Sequence, residues 1–153
     1  MFFYVASSDS KKLYVHNSPE EFTSQLSQTI TTKSCMLGLI DLTLEVSQGI
    51  KKESVGDTMC YVMVNECGDA EVRGHKHPIA RIISLKEFTN KTKAVLRFPD
   101  ILYVPIKKNF INTISVAIRS VDSCCSGAQD DDNLDLLGVT RCTFHIKSGC
   151  TTL

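Results

Sequence analysis

Pro99-Asp-Ile-Leu-Tyr-Val-Pro-Ile-Lys-Lys-Asn-Phe-Ile-Asn-Thr-Ile-Ser-Val-Ala-Ile-Arg-Ser120, answered further on by Gly138-Val-Thr-Arg-Cys-Thr-Phe-His-Ile-Lys147, decides the fold class. In the first run Ile114, Val116 and Ile118 alternate with Ser115 and Arg119. In the second, Cys142, Phe144 and Ile146 alternate with Arg141, Thr143, His145 and Lys147. A strand sends successive side chains to opposite faces, so each run predicts one side on a core and one side wet or against a partner. Half-buried strands joined by a long polar stretch suit an antiparallel sandwich rather than a catalytic α/β sheet.

Upstream the same signals recur. Phe2 to Ala6 predicts a first strand, followed by a polar turn over Ser7 to Lys12 and the short apolar run Leu13-Tyr-Val. From Cys35 onward, Met36, Ile40, Leu42 and Leu44 are read as one face, with Leu37 and Leu39 opening the strand buried on both sides. Met59 to Val64, Ile79 to Leu85 and Ala94 to Phe98 read as further strands, and Lys86 to Lys93 as a charged connection with one helical turn. Ser18-Pro-Glu-Glu-Phe-Thr-Ser-Gln-Leu is ambiguous. Ser before Pro and two acids is a good helix start, yet Phe22, Ser24 and Leu26 also alternate as a strand would. On local grounds the helix is favoured. Eight or nine strands and no long helix predict an all-β sandwich or barrel, a single domain over residues 1–153.

Composition narrows the function classes. The 17 basic and 17 acidic residues balance, so no general attraction to nucleic acid or anionic lipid is expected. No apolar run reaches the length of about 18 residues that a membrane span needs. The opening Met-Phe-Phe-Tyr-Val-Ala-Ser-Ser lacks the basic region and long apolar segment of a secretory signal. Seven cysteines, an odd number, are then read as mainly free thiols in a reducing compartment.

Candidate chemistry is sparse. An extended His75-Lys-His77 could send both imidazoles to one side, as the start of a cupin metal site would, but no carboxylate follows in register, and the pair is read as polar loop histidines before a strand. Cys60, Cys67, His75 and His77 make a poor zinc set, because Cys60 falls inside an apolar strand. Asp131, Asn133 and Asp135 alternate like calcium ligands, yet the turn glycine and the closing glutamate are missing. Cys124 and Cys125 are adjacent and badly placed to share an ion. No nucleophile elbow or phosphate-cradling glycine loop is found. Neither a catalytic residue nor a cofactor is expected.

Four blocks carry a resemblance: Asn17-Ser-Pro-Glu-Glu-Phe-Thr-Ser-Gln-Leu26, Leu37-Gly-Leu-Ile-Asp-Leu42, Leu102-Tyr-Val-Pro-Ile-Lys-Lys-Asn-Phe-Ile-Asn-Thr-Ile-Ser-Val-Ala-Ile118 and Thr143-Phe-His-Ile-Lys147. In this order they resemble the minor capsid, or penton, proteins of Polinton-like double-stranded DNA viruses, nearest to the adintovirus and adomavirus-like relatives. The chain departs from that pattern in lacking a Trp near Met36 and in the long, acidic, Cys-rich stretch from Ser120 to Leu137. The resemblance implies a single jelly roll of about eight antiparallel strands, and it turns Phe22 to Leu26 from helix to strand. It also implies a homopentamer at capsid vertices, located in the virion and assembled in the host nucleus or cytoplasm. The implied neighbours are other capsid proteins, such as a double jelly-roll major capsid protein, with no specific nucleic acid and no membrane span. The ring contact is expected near Tyr103, Val104, Pro105, Ile106, Lys107 and Lys108, with the acidic loop residues Asp130, Asp131 and Asp132 as partners for the lysines. A cupin-like metalloenzyme, or a jelly-roll module that binds a ligand or receptor, is the alternative.

Overall fold

The alternation at Ile114, Val116 and Ile118 is realised in full: all three side chains are buried, as are Cys142, Phe144 and Ile146 opposite them. A computed structural model of the chain describes residues 1–46, 59–72, 74–88, 92–121 and 136–148. The strands are β1 (Phe2–Ala6), β2 (Glu21–Thr31), β3 (Cys35–Glu45), β4 (Met59–Val64), β5 (Ala70–Val72), β6 (His75–His77), β7 (Ile79–Ser84), β8 (Lys93–Arg97), β9 (Tyr103–Pro105), β10 (Phe110–Ser120) and β11 (Arg141–Ser148). A 3-10 turn, Lys86–Phe88, falls in the charged connection. Among the described residues no helix is long and apolar enough to cross a membrane.

The chain is an all-β, antiparallel sandwich. One sheet runs β1-β11-β3-β8, with β9 paired to the other end of β3; the second runs β2-β10-β4-β7. β5 and β6 form a separate small hairpin. Leu37, Leu39, Leu42, Leu44 and Phe144 from the first sheet meet Phe22, Val62, Ile114 and Ile118 from the second in one core. The unbroken apolar run of β4 has its own cause. Its alternate residues Tyr61 and Met63 are buried on the outer face with Ile79, packed by Val72, Ala117 and Val121.

Two sequence expectations are corrected. The local reading of Ser18-Pro-Glu-Glu as a helix start gives way to the strand that the resemblance implies for Phe22 to Leu26: Ser18 and Glu21 exchange backbone hydrogen bonds at 2.9 and 3.2 Å, a tight turn that feeds β2. Pro in the second position suits that turn as well as it suits a helix start. Met36 and Ile40 are only half-buried, whereas Leu37 and Leu39 line the core with Leu42 and Leu44. Thr143 pairs with Asp41 but Phe144 pairs with Leu39, so Ile40 is the extra residue of a β-bulge. An inserted residue reverses the facing of everything before it, which simple alternation misreads. The Ile40 carbonyl accepts a hydrogen bond from Phe98 N–H at 3.0 Å.

Candidate functional site

Tyr103-Val-Pro lies where an interface segment would be useful, on a sheet edge, as β9 beside β3. Its outer edge is nevertheless sealed at Pro105. Pro105 has no N–H to offer, and its carbonyl accepts the Gly68 N–H at 2.9 Å. Ile106 is buried and bridges to Cys67. Tyr103 and Val104 are half-buried and Pro105 is exposed, so these residues offer side chains rather than a backbone ladder.

Lys107 and Lys108 follow on the surface. The Lys107 ammonium faces the Asp69 carboxylate at 3.9 Å, and its amide donates to the Glu66 carbonyl at 3.0 Å. Asp130, Asp131 and Asp132, expected as partners for the lysines, lie outside the described residues. The structure adds one acid that sequence reading passed over. Glu66 is buried, and its Oε1 accepts the Ser115 amide at 2.6 Å, satisfying β10 where β4 turns away. Burial raises its carboxyl above the ordinary value, while the Ser115 hydrogen bond and the charges of Lys108 and Lys107 oppose the rise.

Across the outer face of the first sheet, Phe2, His145, Gly38 and Tyr103 stand in one cross-strand row. Gly38 makes the row work. A Cβ there would lie 2.5 Å from Ile101 Cγ2 and 2.9 Å from Tyr103 Cε1, so only glycine lets the tyrosine lie down across β3. Tyr103 Oη then reaches 2.8 Å from His145 Nδ1, Phe2 packs on the imidazole at 4.4 Å, and Lys147 Nζ sits 3.9 Å above the Tyr103 ring. Desolvation first, then the Met1 ammonium and Lys147, lowers the His145 pKa. Which of the two donates in the Tyr103–His145 hydrogen bond depends on the imidazole tautomer.

The remaining candidates are dispersed. His75 and His77 lie on β6 with ring centroids 6.4 Å apart, and among the described residues no three metal-ligating side chains converge. Cys60 and Cys67 are core residues whose thiols are pushed up to about 12 by burial, and Cys142 is shifted in the same direction. A groove of about 490 Å³ runs between the Leu13–Ser18 loop and the outer face of β2 and β10, lined by Tyr14, His16, Thr23 and Ser115. Cys124, Cys125 and the run from Asp131 to Asp135 lie outside the described residues. Compared with known proteins, the chain matches no protein-family model and no curated protein.

Proposed function

We propose that the chain is a structural, self-associating viral capsid subunit built on a jelly roll, working as a pentamer at the vertices. One observation carries the fold part of this reading. The pairings nest, β1 with β11, β2 with β10, β3 with β8 and β9, β4 with β7, as they do when one long hairpin is wrapped into a barrel-like roll. Such a sandwich is a rigid wedge with loops at both ends, suited to a heterologous contact repeated around a closed ring. The capsid role and the number five rest on the resemblance of the four sequence blocks. The role proposed is associative rather than catalytic, with a major capsid protein as neighbour and the virion as location.

Solution mass across a concentration series, with particle images for symmetry, tests it. A five-membered ring is expected, each contact burying about 1,000 Å² or more in total. A stable dimer or trimer refutes the vertex assignment. Stoichiometric metal on the purified protein, held by the His75 and His77 pair, points instead to the cupin-like enzyme.

A further inference from the structure

Resting on that reading, we infer that subunits join by extending the first sheet: the free edge of β1 in one copy takes the free edge of β8 from the next. The evidence is an inventory of open backbone groups. Met1 and Ile146 exchange two hydrogen bonds, and Ser7 N–H reaches Thr140. With the register of the β1–β11 ladder, this turns Met1, Phe3 and Val5 toward β11 and leaves Phe2, Tyr4 and Ala6 facing outward. Ala6 is capped at both ends, its N–H by Asp9 Oδ2 at 2.9 Å and its carbonyl by Ser24 Oγ at 3.3 Å. Among the described residues nothing meets the outward amides and carbonyls of Phe2 and Tyr4. Both side chains are largely exposed, at 68% and 71%.

Two other edge strands are defended over part of their length. Asn17 imitates a neighbouring strand for β2: its Oδ1 accepts the Thr23 N–H and its Nδ2 donates to the Thr23 carbonyl, each at 2.9 Å. Ser10 Oγ takes the Gln25 N–H at 3.1 Å, and β9 is sealed at Pro105. Folded chains blunt edges that must not pair, so an uncharged, proline-free and uncapped Phe2-Phe-Tyr4 edge is one that does pair.

The second copy supplies a matching strand without being turned over. Along the first sheet β1, β11, β3 and β8 alternate in direction, so β8 of one copy is antiparallel to β1 of the next and the ladder continues. In β8, the hydrogen bond from Val46 N–H to the Thr92 carbonyl fixes which groups face β3; Lys93, Val95 and Arg97 face away. Pro99 stops the ladder just past Arg97. Pairing Tyr4 with Val95 and Phe2 with Arg97 uses the open groups on both edges. It also sets the Lys93 ammonium against Asp9, where the Ala6 cap ends the ladder, and the Arg97 guanidinium against the exposed Phe2 ring. Charge and hydrogen bonding thus select one register.

The test is amide exchange on the wild-type protein at rising concentration, read together with solution mass. Exchange at Tyr4 and Val95 should slow together by about tenfold or more as the ring forms. Tyr4→Pro removes an outward N–H along with the exposed ring, so compared with Tyr4→Ala, which removes the ring alone, it should move assembly to about tenfold higher concentration or more while the monomer stays folded. A ring that forms with both amides still exchanging freely, or undisturbed by Tyr4→Pro, overturns the edge pairing and leaves the vertex reading standing. A dimer protected at Tyr4 but not at Val95 overturns both, as does a monomer at every concentration.

Discussion

Phe144→Ala is the sharpest probe of the core. Phe144 has no exposed surface, sits on β11 between β1 and β3, and stacks on Phe3 with centroids 5.5 Å apart. Burial of such a side chain is worth about 1.5–3 kcal/mol. The lost ring pair adds roughly 0.5–1.5 kcal/mol, since aromatic pairs carry about that much beyond area. The cavity left between two sheets that cannot collapse onto it brings the total to about 3–5 kcal/mol. Against a whole-domain stability of roughly 5–15 kcal/mol, this is a large fraction. Urea unfolding followed by intrinsic fluorescence or circular dichroism would measure it, with Ile40→Ala as the companion. Because Ile40 is the half-buried bulge residue, its truncation should cost distinctly less, about 1–2 kcal/mol. A Phe144→Ala change within about 0.5 kcal/mol, or a larger loss at Ile40 than at Phe144, would refute the register described for β3 and β11.

Three further outcomes follow from named contacts. The Glu66 carboxyl is raised above its ordinary 4.5 in the fold, so the native state holds its proton to higher pH than the unfolded chain does. Its contribution to stability therefore falls as pH rises from about 4.5, and the difference between wild type and Glu66→Gln in unfolding free energy should show that slope; a flat difference would exclude it. Cys60, Cys67 and Cys142 should resist thiol reagents at neutral pH until the fold opens, as peptide mapping after native and denatured labelling would reveal; labelling at native rates would mean they are not in the core. Changing Lys107 and Lys108 together to Glu should alter monomer stability by no more than about 1 kcal/mol, because the Lys107–Asp69 pair is exposed. The same change should weaken the ring in light scattering; equal assembly would remove the lysines from the interface.

How much of this was legible depended on the range of the interaction. β10 and β11 were readable from their residues alone, because burial on one face of a pleated sheet writes a period of two into the sequence, and β4 was readable as a short apolar run buried on both faces. The face of β3 before Asp41 was not, since a bulge is fixed by the pairing with Phe144 and Thr143, far away in the chain. Ser18-Pro-Glu-Glu carries a turn and a helix start with equal local merit, and only the demand of β2 for a place beside β10 chooses between them.

The candidate surface was still harder to read. Tyr103 was singled out as part of a block, but its contact with His145 requires β3, β9 and β11 in register and a glycine at position 38 to let the ring across. Asn17, Asp9 and Glu66 looked like ordinary polar residues. Each in fact satisfies a backbone group at an edge or a corner: Thr23, Ala6 and Ser115. Their common task distinguishes the edge positions that the fold closes from those it leaves open among the described residues. A hydrogen-bond ledger therefore finds open strand edges better than exposure does. Leu13, at 67%, is as exposed as Phe2, yet its amide is already bonded to Ser10, whereas the outward groups of Phe2 remain available for a neighbouring strand.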